Sequence, residues 1–145
     1  MSSTRWLIGI ISLAFIYPQI TADGDDKKIT EAPIQLEIKA GTLYGVIDLP
    51  AGVGPFSILV CIGGSGPTDR DGNQPQIKNN SLKFLGQGLA AQGIAVLRYD
   101  RRGIGQSRKT APREEDLSID MLADDVVEWI KLLRKDGRFS HVGIV

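Results

Sequence analysis

The sequence predicts an α/β fold, a mostly parallel sheet with flanking helices and an antiparallel pair at one edge. Three observations predict it. Residues 58–62 (ILVCI), 94–97 (IAVL) and 141–145 (HVGIV) are apolar runs without alternation, as in strands covered on both faces of a parallel sheet. Helical patterns separate them, so strand, helix, strand, helix, strand makes two crossover units. Ahead of these, residues 34–38 (IQLEI) alternate at period two and residues 43–49 (LYGVIDL) are rich in branched and aromatic side chains. Two strands so close together pair as an antiparallel hairpin around Gly41.

The first helix is expected from Ser81 or Asn80 as cap, through Leu82, Leu85 and Leu89, to a stop at Gln92-Gly93. Gly86 and Gly88 inside it cost roughly 1 kcal/mol each relative to alanine, so packing must hold it. The second helix has Ser118 as cap and Asp120 in its first turn. Its stripe is Ile119, Leu122, Val126, Ile130 and Leu133, with Lys131, Arg134 and Lys135 near its end and Gly137 as its stop.

The chain has 145 residues, the size of one domain, with 17 lysines plus arginines against 17 aspartates plus glutamates. Nothing resembles a nucleic-acid footprint, which needs a basic excess on one element. Arg98, Arg101, Arg102, Arg108 and Lys109 are broken by Asp100 and followed by Glu114, Glu115 and Asp116. They read as a solvated mixed-charge loop. The single cysteine, Cys61, lies mid-strand and reads as a small hydrophobe.

The N-terminus reads as a targeting segment. Arg5 precedes an uncharged run at residues 6–16 (WLIGIISLAFI), and Ala22 precedes an acidic stretch. The run falls short of the roughly 20 residues that cross a bilayer. Residues 1–22 are therefore expected to be a signal peptide, leaving an exported protein, with an uncleaved membrane anchor as the alternative.

Ligands of open parallel sheets bind beyond the carboxyl ends of the strands. Two loops emerge there, residues 63–80 and 100–116. The first is long against the roughly two to six residues usual for such a connection. It opens with GGSGPTDRDG (63–72), and the second follows LRYDRRGIGQS (97–107). Together, in this strand order, the two blocks resemble the alpha/beta-hydrolase superfamily, and within it exported esterases related to serine-aminopeptidase-like hydrolases. The resemblance runs over residues 34–145.

The resemblance implies that the first loop forms an oxyanion hole. Ester hydrolysis passes through a tetrahedral intermediate with a negative oxygen, and losing one fixed N–H donor costs roughly 3 kcal/mol. The expected donor is the Ser65 N–H, placed by Gly64. The Ser65 side chain is not the expected nucleophile, because a G-x-S-x-G elbow read from Gly63 meets Pro67 in place of its last glycine. Ser107 lacks that pattern too. The elbow is expected after the fifth strand, with acid and histidine later still. His141, the sole histidine, precedes that point at the wrong end of a strand. Asp69, Asp71, Gly72 and Asn73 resemble the start of a calcium loop, but the glycine is displaced and Asn80 stands where glutamate belongs. Asp100, Arg101 and Arg102 are expected to anchor the second loop. No metal or cofactor is expected, and residues 63–66 do not run straight into a helix as a phosphate cradle does.

Residues 23–145 are thus expected to be the N-terminal portion of a serine hydrolase domain acting on small carboxylic esters, lacking the triad and inactive alone. The alternative is a short binding module with a hydrolase-like fold.

Overall fold

A computed structural model of the chain describes residues 28–111 and 113–145. The expected signal peptide lies outside the described residues. Five strands, β1 (Thr30–Ile38), β2 (Gly41–Leu49), β3 (Phe56–Cys61), β4 (Ile94–Tyr99) and β5 (Phe139–Ile144), form one sheet in the order β1-β2-β4-β3-β5. The hairpin is antiparallel throughout, Ile38 facing Gly41 and Thr30 facing Leu49. It joins the rest antiparallel through β2 and β4, whereas β3 is parallel to both β4 and β5. The sheet is therefore the expected parallel core with an antiparallel edge.

Helix α1 (Ser81–Ala91) lies against β4 and β2, and α2 (Ile119–Arg134) reaches β5, β1 and β3. The principal apolar cluster centres on Leu43, Ile47, Ile58, Val60, Leu97 and Trp129. Tyr99 packs against Trp129 with its ring tilted 50° and the centroids 5.6 Å apart. Every residue of 95–99 is buried, as expected for a strand covered on both sides. The third apolar run behaves differently: His141, Ile144 and Val145 are exposed, and β5 is an edge strand among the described residues.

The helices pack by faces slightly rotated from those expected. On α2 the buried row is Asp125, Trp129 and Leu133, while Ile119 is 84% exposed. Ser118 does cap it, its Oγ accepting from the Met121 N–H at 3.2 Å. On α1 the buried residues are Gly86 and Ala90, and Leu85 stands partly in solvent. Asn80 has left-handed backbone (φ 52°) and its side chain makes no cap. The first-turn amides of Leu82 and Lys83 instead donate to the Asp71 carbonyl, at 3.1 and 3.2 Å. The long first loop thus caps the helix that it leads into.

The reason for Gly86 is beneath it. Arg98 is 1% exposed and Asp48 is fully buried. Arg98 Nε donates to Asp48 Oδ2 at 2.6 Å and Nη2 to Oδ1 at 3.0 Å. A Cβ on Gly86 would overlap the Asp48 carboxylate and stand 3.1 Å from Arg98 Cδ, whereas one on Gly88 would meet nothing within 4 Å. Arg98 therefore belongs to the interior, not to a solvated loop, because its charge is matched there. The Gly86→Ala variant should lose about 1–3 kcal/mol of stability in urea unfolding. Gly88→Ala should be neutral or gain up to about 1 kcal/mol.

Candidate active site

β3, β4 and β5 are parallel, so the loops at residues 62–80 and 100–118 leave the same end of the sheet. The end of β5 lies beside the first loop: the Ile62 N–H donates to the Val145 carbonyl at 2.8 Å, and the Val145 N–H to the Val60 carbonyl at 3.0 Å.

The first loop leaves this pair as an exposed bend. Gly64 and Ser65 are exposed, and among the described residues no group accepts from the amides of Gly63, Gly64 or Ser65. A Cβ built on Gly64 would meet nothing within 4 Å. The fold's own packing therefore leaves room for a side chain there. The Ser65 carbonyl, not its hydroxyl, is what the loop engages, through the Thr68 hydroxyl at 3.5 Å.

Further along, the loop is held by its own side chains. Asp69 Oδ1 accepts from the amides of Asp71 and Asn73 at 2.9 and 2.8 Å, and Asn73 Oδ1 from those of Asn79 and Asn80. These bonds occupy the residues that resembled a calcium loop. Among the described residues no three His, Cys, Asp or Glu side chains are grouped to hold a metal ion.

The second loop does more than anchor itself. Asp100, at the end of β4, is 1% exposed. Its Oδ1 accepts from the Arg70 amide at 2.9 Å and its Oδ2 from the Gln106 amide at 3.0 Å, so one carboxylate ties the two loops together. Gly105 has φ +50° and lies so close to that carboxylate that a Cβ would overlap it. Arg102 makes a paired contact with Asp125 of α2, at 2.7 and 2.8 Å. Arg101 corrects the expectation for this tripeptide, because its Nη2 donates across to the Gly66 carbonyl of the first loop.

Two hollows of about 230 and 220 Å³ flank Arg101. The larger is apolar, walled by Ile62, Tyr99, Leu122 and Val126 and opening beside Gly63. The smaller runs from Gly66 and Pro67 to Leu117. Tyr99 and Arg101 went unnoticed as wall residues in the sequence. Their only signal there was adjacency to Asp100 at the carboxyl end of a strand.

Of the rejected candidates, His141 stays apart from this end, while Ser107 and Cys61 lie at it but are buried. His141 pairs in register with Ser57 near the starts of β5 and β3, and its Nδ1 meets only the Ser140 hydroxyl at 3.1 Å. Ser107 is buried, its Oγ accepting from the Tyr44 amide at 3.0 Å. Burial pushes the Cys61 thiol above its ordinary range, with the charge of Arg98 a smaller opposing influence. The thiolate that nucleophilic chemistry needs is thus disfavoured.

The chain is similar to known proteins in sequence and in fold. A 109-residue stretch is 32% identical to the esterase EstD of Thermotoga maritima, covering 75% of this chain and 25% of that protein. The chain thus spans about a quarter of the curated relative it matches. No family model matches. Among solved structures, the alpha/beta hydrolase GrgF from Penicillium superposes with a TM-score of 0.57 at 17% identity, over 79% of this chain and 36% of that one. XC6422 from Xanthomonas campestris, a serine hydrolase without a lid, gives 0.52 at 22% identity over 79% and 49%. A 2,6-dihydroxy-pseudo-oxynicotine hydrolase gives 0.52 at 14% identity over 82% and 30%. The chain has the fold of the alpha/beta-hydrolase superfamily.

Tyr99, on the wall of the larger hollow, is raised to about 12, by burial first and then by the negative charge of Asp125. The folded state thus keeps the proton that the unfolded chain releases near pH 10. The stability this represents is present below about pH 10 and lost as pH rises towards 12, by up to roughly 3 kcal/mol. Urea unfolding at about pH 9 and pH 12 should show that fall, and Tyr99→Phe should flatten it.

Proposed function

We propose that the loop at residues 63–66 is the oxyanion hole of a serine hydrolase acting on small carboxylic esters, with the Ser65 amide as donor and Gly64 placing it. The observation that carries this is a run of exposed amides with no described acceptor, beside the carboxyl end of a parallel strand pair. Such fixed donors stabilise charge that develops in a transition state without reorganising at the moment of reaction. The open space over Gly64 supports the reading, since a bare backbone lets a substrate oxygen approach closely. The likeness to the esterase EstD supports the substrate class.

The end of β5 supports the position of the nucleophile. A residue following Val145 would emerge beside Ile62, next to these amides. A glycine-flanked serine there would attack the ester carbonyl and form an acyl-enzyme while the 63–65 amides hold the oxyanion. Residues 23–145 contain no such elbow, so by themselves they supply the oxyanion-hole loop alone.

Purified residues 23–145 should give no p-nitrophenyl ester turnover above buffer. Turnover that a serine-reactive organophosphonate abolishes would falsify the assignment of the nucleophile beyond β5. In the reading-frame product that carries such a serine, Gly64→Ala should lower kcat roughly 10²-fold with little change in unfolding temperature. An unchanged kcat would remove the loop from the site. We also propose that the protein is exported. N-terminal sequencing of protein recovered from outside the cytoplasm should then begin after Ala22, and a retained residues 1–22 would count for the anchored form.

A further inference from the structure

The amides of residues 63–65 make no described hydrogen bond that would hold their direction, yet an oxyanion hole requires donors fixed before the substrate arrives. The backbone on either side is held. At one end the Ile62 amide is paired to Val145. At the other, the Gly66 carbonyl accepts from the Thr68 amide at 2.8 Å and from the Arg101 guanidinium. Gly66 has φ +86°, a turn in which the direction of its carbonyl is set sharply. Three residues span the gap, so pinning the Gly66 carbonyl largely fixes where the 63–65 amides point.

Arg101 is suited to that task. Its base is immobilised by the neighbouring residue, because Asp100 is buried and takes two backbone amides. Its shaft is the wall common to both hollows. Its Nε is buried with no partner among the described residues, a cost that a solvated surface arginine does not carry. A planar guanidinium gives a fixed direction to its N–H groups, which an ammonium on a flexible stem does not.

We propose that Arg101 is the positioning residue of the oxyanion loop, holding the Gly66 carbonyl so that the Gly64 and Ser65 amides stay aimed at the substrate oxygen. This rests on the oxyanion-hole reading above. It assigns no proton transfer and no substrate contact to Arg101.

The test compares Arg101→Met and Arg101→Lys with the parent in the reading-frame product that carries the nucleophilic serine, by backbone amide NMR, thermal unfolding and ester turnover. In Arg101→Met the order parameters of Gly64 and Ser65 should fall from about 0.85 to below about 0.6, with those of β3, β4 and α2 unchanged. Arg101→Lys should recover part of the loss, and it remains informative where the methionine variant does not fold. Turnover should fall through kcat in the same order, with KM altered less than about twofold, as for an interaction made only in the transition state. Order parameters at the parent value in both variants would overturn the positioning role, whatever the turnover. A loosened loop with kcat unchanged would leave the pin in place and instead overturn the oxyanion-hole reading on which it rests.

Discussion

The buried ion pair between Arg98 and Asp48 is the constraint on which the working end of the molecule depends. Burial by itself would favour a neutral guanidine, but the hydrogen bonds and charges of Asp48 and Asp71 more than reverse that, and Arg98 is held charged. Two of its nitrogens are taken by Asp48, from the neighbouring strand. Nη1 holds Asp71 of the first loop, and Nη2 also reaches Glu31 of β1 at 3.2 Å. Removing one member of such a pair leaves an uncompensated buried charge and costs about 3–5 kcal/mol. The same contact explains a glycine in mid-helix, since α1 must pass close over Asp48. Asp71 then caps α1 with its carbonyl. One arginine thereby links β1, β2, the loop and the helix that follows it.

The residues after Arg98 extend this hub outward, each in a direction set by the strand. Side chains alternate across a sheet, so Arg98 faces α1 and Tyr99 faces α2, against Trp129. Asp100, where the strand ends, gathers amides from both loops. Arg101 takes the first loop at Gly66, and Arg102 ties the second loop to α2 through Asp125. Arg98, Asp100 and Arg101 thus fix the loop at positions 71, 70 and 66, while among the described residues the amides of the 63–65 bend have no acceptor. A rigid scaffold that carries one uncommitted stretch of donors suits binding of a developing negative charge.

Much of the fold was legible in the chain because its signals are local. Continuous apolar runs, a period-two hairpin and a serine cap each depend on residues a few positions apart, and each element formed. The faces of the helices were less legible. On α2 the stripe of aliphatic residues pointed towards Ile119, but Trp129 buries more surface than any of them and sets the rotation. On α1 the leucines suggested a large-residue face. The helix instead turns Gly86 and Ala90 inward, and at Gly86 no side chain fits above the ion pair. Of the candidate site, the glycine loop and its location could be read from the order of strands and the length of the connection.

Composition and order along the chain settle the α/β class, the parallel core with its antiparallel edge, and a glycine-rich loop at the carboxyl end of β3. These follow from how apolar surface is buried and which residues turn a backbone. The partners of charged residues follow from nothing local. Asp48 and Arg98 are fifty positions apart in sequence, and Gly66 and Arg101 thirty-five. In the chain both arginines read as part of one solvated basic cluster. The sheet order that places β4 between β2 and β3 carries Arg98 into the interior beside Asp48 and leaves Arg101 under the first loop. Only the folded arrangement separates these two roles, because the worth of a charge is decided by what faces it across the structure.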